Sequence, residues 1–250
     1  MMGLQLLLLN LLMAAPGLSQ DNRILGGSPC SPNSQPWQAA LFDGPQLRCG
    51  GILVHPRWVL TAGHCWFKRL YVRLGEHNLR QKDGTEQFFT STRRVPHPQF
   101  NPKARERDHD LQLVQLSKPA TLNRAVKPAP LTHSCPAPGT DCLISGWGTI
   151  SSTEVLNPEE LQCAWVKTVD QEQCRARYGG AIKESMVCAG VQEGGTDTCQ
   201  GDSGGPLICG GTLAGVTSWG QPRCGLPNTP GVYTNICRHL DWIRRVTGIK

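Results

Sequence analysis

No C-x-x-C pair occurs anywhere in the 250 residues. That absence removes zinc ribbons, thioredoxin-like redox pairs and haem-attachment motifs. No run of five or more Lys or Arg occurs either, so nothing specific points to nucleic acid. No N-x-[Ser/Thr] sequon with a permitted middle residue is present, and N-glycosylation is not expected. There is no internal repeat of fixed period and no linker between independent domains. Only one stretch is strongly apolar, LQLLLLNLLMAA at 4–15, and it is shorter than the ~20 residues that span a bilayer. Pro16, Gly17 and Ser19 follow it at cleavage-site spacing, so residues 1–19 read as a secretory signal peptide. Its n-region, MMGLQ, lacks the usual Lys or Arg. No membrane association is expected, and the mature protein reads as soluble, secreted and extracellular.

Cysteine, by contrast, is abundant. The count is twelve, an even number. Six disulfides are the simplest reading, and they imply an oxidising compartment. Composition alone leaves about 10⁴ pairings open. Gly (28) and Pro (19) make the chain turn-rich without reaching low complexity. The length suits one large β domain or two small ones. The net charge of +6 survives removal of residues 1–23, which carry one Arg and one Asp. Such a charge permits weak attraction to polyanions such as heparan sulfate.

Short apolar stretches recur about every ten residues with Gly/Pro punctuation. GGILVHPRWVLTAG, LYVRLGEHN, DLQLVQL, DCLISGWG, LQCAWVKTV, GTLAGVTSWG and GVYTNI are the clearest. The pattern predicts an all-β sandwich or barrel. Only the C-terminus reads as helical, with Ile236, Leu240, Ile243 and Val246 at helical spacing and Thr234 or Asn235 as cap. PAPLTHSCPAPG at 128–139 is the nearest thing to a crossing segment.

Three segments concentrate the chemistry: TAGHC with His64, DHDLQLVQL with Asp110, and DTCQGDSGGP with Ser203. A serine hydroxyl is a poor nucleophile at neutral pH. It needs a neighbouring base, and the base needs an orienting carboxylate. Singly, the His reads as a packed or surface histidine and the Asp as a cap. GDSGG says more, because its glycines let backbone N–H groups approach a substrate oxygen closely. GDSGG also fits the G-x-S-x-G elbow of α/β-hydrolases, which demands the order Ser, acid, His. No Asp or Glu lies between Gly204 and Arg238, so His239 has no acid before it and that alternative fails.

His64 in TAGHC, Asp110, and Ser203 in GDSGGP resemble the trypsin/chymotrypsin family of serine proteases. SQPWQAAL (34–41), VRLGEHNL (72–79), SGWGT (145–149) and PGVYTN (230–235) look like its kallikrein-related branch. The resemblance runs from RILGG at 23–27 to DWIRR at 241–245. It implies two six-stranded antiparallel β-barrels with a short C-terminal helix, crossing near 125–140. It implies a serine endopeptidase in which His64 is general base and acid, Asp110 orients it and Ser203 is the nucleophile. The N–H groups of Gly201 and Ser203 would form the oxyanion hole. An inactive binding homologue is the alternative, and such proteins usually lack a triad residue.

The same resemblance places Asp197 at the floor of the specificity pocket, with Thr198, Ser218, Trp219, Gly220 and Gly231 around it. A buried carboxylate behind glycine walls implies cleavage after Arg or Lys. RILGG implies a zymogen with an activation peptide over 20–23, cut after Arg23, and a peptidase domain over 24–250. The new ammonium on Ile24 would pair with Asp202. The implied disulfides are Cys30–Cys163, Cys49–Cys65, Cys135–Cys237, Cys142–Cys209, Cys174–Cys188 and Cys199–Cys224. The implied partners are protein or peptide substrates with Arg or Lys at the cut, and serpin-type or Kunitz-type inhibitors. A monomer without cofactor is expected.

Two weaker sites remain. Glu76, Asp83 and Glu86 match a trypsin-type calcium loop and suit Ca²⁺, but Arg80 and Lys82 in that loop are expected to neutralise them. His97 and His109, flanking PQFNPKARERD, are candidate ligands for inhibitory Zn²⁺, although surface histidines are commoner. Arg105 and Arg107 in that segment are expected to favour acidic residues beside the cleavage site. Gly63, where relatives have Ala, adds backbone freedom beside the base, and lowered activity or stability would follow. Gly179 stands where relatives have Pro.

Overall fold

A computed structural model describes residues 24–149, 151 and 156–249. The stretches read above as signal peptide (1–19) and activation peptide (20–23), together with residues 150, 152–155 and 250, lie outside the described residues. After a two-residue strand β1 (Ser28–Pro29), the first barrel is built from six strands. These are β2 (Gln38–Asp43), β3 (Gln46–His55), β4 (Trp58–Thr61), β5 (Leu70–Leu74), β6 (Gln87–Pro96) and β7 (Gln112–Leu116). They close in the order β2-β3-β4-β7-β6-β5, all antiparallel.

The second barrel comprises β8 (Asp141–Gly146), β9 (Gln162–Val169), β10 (Met186–Gly190), β11 (Pro206–Cys209), β12 (Thr212–Trp219) and β13 (Gly231–Asn235). Its order is β9-β10-β13-β12-β11-β8, and the β8–β9 pairing closes it, with β1 added beside β9. Closure leaves no long unpaired edge.

Local patterning explains these strands. β9 alternates, with Gln162, Ala164, Val166 and Thr168 turned inward and Trp165 and Lys167 outward, the period of a half-exposed strand. β2 is buried over its first five residues, because it sits between its own barrel and the neighbouring one. Between β7 and β8 the chain passes from one barrel to the other. Lys127 and Ala129 donate to Pro36 and Leu53 of the first barrel, and Leu131 then bridges to Leu213 of the second.

Two α-helices are present among the described residues. The C-terminal one, α2, spans Leu240–Thr247. Thr234 and Asn235 do not cap it: they end β13, a 3₁₀ turn over Ile236–Arg238 intervenes, and His239 takes the N-cap place without a side-chain bond. Its buried Trp242 and Ile243 pack into the cluster beneath both barrels. The other helix, α1 (Gln171–Tyr178), corrects the expectation of a single helical segment. Its sequence, QEQCRARY, has no apolar stripe, and only Cys174 is buried. It is held by Asp170, which accepts from the Glu172 and Gln173 amides, and by Gly179 at φ 62° past its end. Gly179 is therefore a helix terminator, a place Pro cannot fill in that conformation.

All twelve cysteines are bonded in six pairs: 30–163, 49–65, 135–237, 142–209, 174–188 and 199–224.

Candidate active site

The strand β4 ends at Thr61, and the turn that follows carries His64. The Cys49–Cys65 disulfide ties this turn to β3. Gln112 of β7 donates to the carbonyls of Ala62 and Cys65, at 2.9 and 2.8 Å, and fixes the turn from beneath. Asp110 lies just before β7 and is fully buried. One oxygen accepts the His64 backbone amide at 2.9 Å, and the other accepts His64 Nδ1 at 2.7 Å. Ser218 Oγ donates to that second oxygen at 2.5 Å. With Nδ1 carrying its hydrogen toward Asp110, Nε2 is left as the free lone pair. That is the tautomer a base needs.

Ser203 comes from the other barrel. Its carbonyl accepts the Gly50 amide at 2.9 Å, which locks it to β3 beside the disulfide of the His64 turn. Gly204, at φ 82°, lets this approach happen: a Cβ there would collide with Thr61 Oγ1 and lie 2.5 Å from the Gly50 carbonyl oxygen. Ser203 Oγ makes no hydrogen bond of its own among the described residues. Such bonds often tighten only when substrate is bound. Gly201, at φ 100°, and Ser203 present backbone amides with no protein acceptor among the described residues.

Asp197 is buried, and its pKa is pushed up to about 7, chiefly by burial, against the opposing pull of the Gly225 and Thr198 amides. One oxygen accepts Gly225 N–H at 3.0 Å, and the other has no partner. A Cβ on Gly231 would lie 2.9 Å from that second oxygen and 3.3 Å from Thr198 Oγ1. Glycine there keeps the carboxylate reachable. Thr198 Oγ1 faces the buried Tyr233 hydroxyl at 3.4 Å, and Gly220 opens onto free space. Trp219 packs edge-on against Tyr178 of α1, whose hydroxyl donates to the Pro230 carbonyl at 2.6 Å. The unforeseen helix thus buttresses the pocket wall, together with the Cys199–Cys224 disulfide.

Asp202 is almost fully buried. Its carboxylate accepts the Gly148 amide at 2.8 Å and the Cys199 amide at 2.9 Å. No cation meets it among the described residues, and burial pushes its pKa up to about 6. Gly146 and Gly148 of the SGWGT motif explain themselves here, since a Cβ on either would overlap the Asp202 carboxylate. Ile24 is buried and adopts φ 50°, a strained conformation for a β-branched residue. Its neighbour Leu25 bridges to Asp197, whose amide donates to the Leu25 carbonyl. The segment after residue 23 and the expected pocket floor are therefore in contact.

Several expectations need correction. Arg80 and Lys82 do not neutralise the acidic loop. Arg73 pairs with Glu76 at 3.4 Å, whereas Arg80 turns to Glu159. Glu76, Asp83 and Glu86 do converge, but the loop uses its own acceptors. Asp83 takes the His77 and Asn78 amides, and Glu86 takes the Asp83 amide. Burial, which outweighs Arg73, lifts the pKa of Glu76 to about 7. Gly63 is not a point of looseness: the Phe100 ring lies over it, where a Cβ would sit 2.8 Å from two ring carbons.

His97 and His109 stack at 4.9 Å, and His239 joins them edge-on. His239 donates through Nδ1 to Asn235 O at 2.7 Å, so its Nε2 accepts from His109 Nδ1 at 3.0 Å. Burial, with the two neighbouring imidazoles, lowers the pKa of His97 to about 4. Three imidazoles are a donor set that Zn²⁺ takes, but all three are spent here on bonds within the protein, His97 Nδ1 as acceptor of the Gln99 amide at 3.3 Å. His239 had no periodic signal of its own. Only the fold brings it to the other two.

Of the two arginines in the 101–109 segment, Arg105 is exposed. Arg107 reaches the cleft, where it donates to the Ser218 carbonyl at 2.9 Å. Ser218 itself, as a donor to Asp110, was readable only as a pocket wall.

A model of the trypsin family matches residues 24–243. Human kallikrein-8 is 51% identical over 246 residues, 98% of this chain and 94% of that protein. Human kallikrein-11 is 48% identical over 244 residues, 96% of this chain and 86% of that one. Among solved structures, neuropsin, described as a serine protease expressed in the limbic system of mouse brain, superposes with a TM-score of 0.86. It is 50% identical and covers 89% of this chain and 99% of its own.

Proposed function

The chain belongs to the trypsin family of serine endopeptidases, and from that premise we propose that it cuts after Arg or Lys through a His64–Asp110–Ser203 triad, once freed by cleavage after Arg23. The observation that carries this reading is the Asp110 carboxylate, closed on His64 by two bonds at 2.7 and 2.9 Å, while Ser203 is pinned to Gly50 of β3, the strand to which a disulfide ties the His64 turn. His64 Nε2 takes the Ser203 proton as Oγ attacks the carbonyl carbon. The Gly201 and Ser203 amides receive the oxyanion. His64 returns the proton to the leaving amine, and water releases the acyl-enzyme in the reverse sense.

The pocket supports a cationic substrate side chain. Asp197 has a buried oxygen with no partner, and the burial cost of its charge is relieved when a guanidinium or ammonium enters. Asp202 supports a second, internal cation. A new ammonium on Ile24 would neutralise it, and the 23–24 cut would release the backbone strain at Ile24. Before the cut, the buried acid lacks that partner and the oxyanion amides beside it are not held. Six disulfides and an apolar leader favour secretion. Arg107 at the cleft supports a preference for acidic residues near the scissile bond. For the metal clusters, the bonds the side chains already make within the protein favour a resting protein without metal.

The test is to cut the folded zymogen after Arg23 and profile it on a randomised peptide library. Arg or Lys on the N-terminal side of every major cut supports the reading. An apolar preference, or no hydrolysis from a correctly cut chain, overturns it.

A further inference from the structure

Charge is not shared between the two halves of this protein. Residues 24–125 carry fourteen Lys and Arg against seven Asp and Glu, a net +7. Residues 126–250 carry ten against eleven, a net −1. The whole excess sits on the first barrel, and part of it converges. Lys68 and Arg69 lead into β5, and Arg93 and Arg94 lie on β6, the antiparallel partner of β5. A bulge in β6 between Ser91 and Arg93 breaks the pleat at this point, and bulges re-aim side chains. The four cations line one depression of about 290 Å³, together with Tyr71 and Thr90; no acid lines it.

Arg94 is held in place. Its guanidinium lies 4.2 Å above the exposed Trp66 ring and donates to the Phe67 carbonyl at 2.5 Å. The other three cations are exposed, and none of them makes an ion pair among the described residues. A second depression adjoins the first, shares Tyr71 and Thr90 with it, and contains Arg73, which lies over the Phe42 ring and is already paired with Glu76. The two depressions form one track over the outside of β5 and β6, with the unpaired cations gathered in the first.

We propose that this track is a binding site for a sulfated polysaccharide. Arginine forks grip tetrahedral oxyanions through paired N–H bonds, and lysine adds a mobile point charge. One depression holds about one or two sugar units, at the lower end of small-ligand sites of ~300–1,000 Å³. The adjoining depression lets a linear chain continue, which a single phosphate or sulfate ion would not need. The affinity comes mainly from displaced counterions and falls steeply with salt. The site is independent of the proteolytic reading, since it uses no residue of the cleft.

The experiment measures binding of size-defined heparin oligosaccharides to the full folded protein by calorimetry at several salt concentrations. The variant is Lys68→Gln/Arg69→Gln/Arg93→Gln, which spares the anchored Arg94. A control, Lys127→Gln/Arg238→Gln/Arg245→Gln, removes the same charge from the second half. The track variant should lose at least about tenfold in affinity and about one unit of salt slope per cation removed. The control should change by less than about threefold, and unchanged melting temperatures should accompany both. Equal losses in the two variants, or no loss in the first, would overturn the site. Binding to anionic phospholipid vesicles or to inorganic sulfate as tight as to the oligosaccharide would overturn the ligand class.

Discussion

Asp110, at the rim of the first barrel, and Asp197 and Asp202, in the second, are all buried carboxylates, but the fold completes them to different degrees. Asp110 receives the His64 amide, the His64 ring and the Ser218 hydroxyl. Asp197 keeps one oxygen without a partner, and Asp202 has two amides but no cation. Burial raises the pKa of both second-barrel acids, to about 7 and about 6. The first barrel, in which the positive charge is concentrated, thus delivers a finished base–acid pair. The second delivers two acids without a cation among the described residues; in the proposed reading, a substrate side chain and a newly cut chain end would supply them. On that reading the geometry of catalysis is built in, whereas its timing and choice of substrate would be held as unpaired charge.

The largest expected effect breaks the finished half. Ser203→Ala should lower kcat by about 10⁶, and Asp110→Asn by about 10⁴, the magnitudes recorded for such triads in serine proteases. Active-site-titrated kinetics on an Arg amide substrate reads both, and retained amide hydrolysis in Ser203→Ala would remove the triad. Next comes the unfinished half. Asp197→Ser should cost roughly 30- to 4,000-fold in kcat/KM toward Arg and Lys, because truncating one side of a buried charge pair costs about 2–5 kcal/mol. A loss below about tenfold would show that Asp197 is not the partner of the substrate cation.

A pH series sharpens the contrast. With its pKa raised to about 7, Asp197 is neutral in mildly acid solution, so a guanidinium inhibitor should bind about tenfold more weakly for each pH unit below that value, until the lower pKa of the paired carboxylate in the complex is reached. The stability of the uncut chain has the opposite sign. Between about pH 4 and pH 6–7 the native state holds protons on Asp197 and Asp202 that the unfolded chain has released. Their contribution is therefore favourable below about pH 4 and is lost as pH rises through 6 to 7. A melting series on the uncut chain and on Asp202→Asn should show a smaller decline in the variant over that window, and identical slopes would exclude Asp202 as its source.

The smallest effect concerns the 101–109 segment between β6 and β7. Arg107 holds the Ser218 carbonyl at 2.9 Å, an acceptor on the strand beside the triad. Arg107→Ala should raise kcat/KM on neutral peptides by a few-fold and erase any preference for acidic neighbours. A library profile unchanged by the substitution would leave Arg107 without a role in selection.

Strand periodicity and turn punctuation made the β architecture readable, and GDSGGP with TAGHC pointed to the candidate nucleophile and base that the fold brings together. Helix α1 was not readable, because its stability comes from a cap, a glycine end and the Cys174–Cys188 bond rather than from an apolar stripe. His239 joining His97 and His109, Phe100 lying over Gly63, and Arg73 in place of Arg80 at Glu76 were likewise invisible. Each pairs residues from different segments with no motif between them.

Twelve cysteines with no C-x-x-C pair, an apolar leader, and a net charge of +6 were fixed as soon as the chain was written. They follow from residue identity alone. Which acid would be satisfied and which left waiting, and where the positive charge would gather, were decided only by tertiary structure. Desolvation and hydrogen bonding depend on what surrounds a carboxylate. Those surroundings come from strands and turns far apart in sequence, brought together by barrel closure and six disulfides.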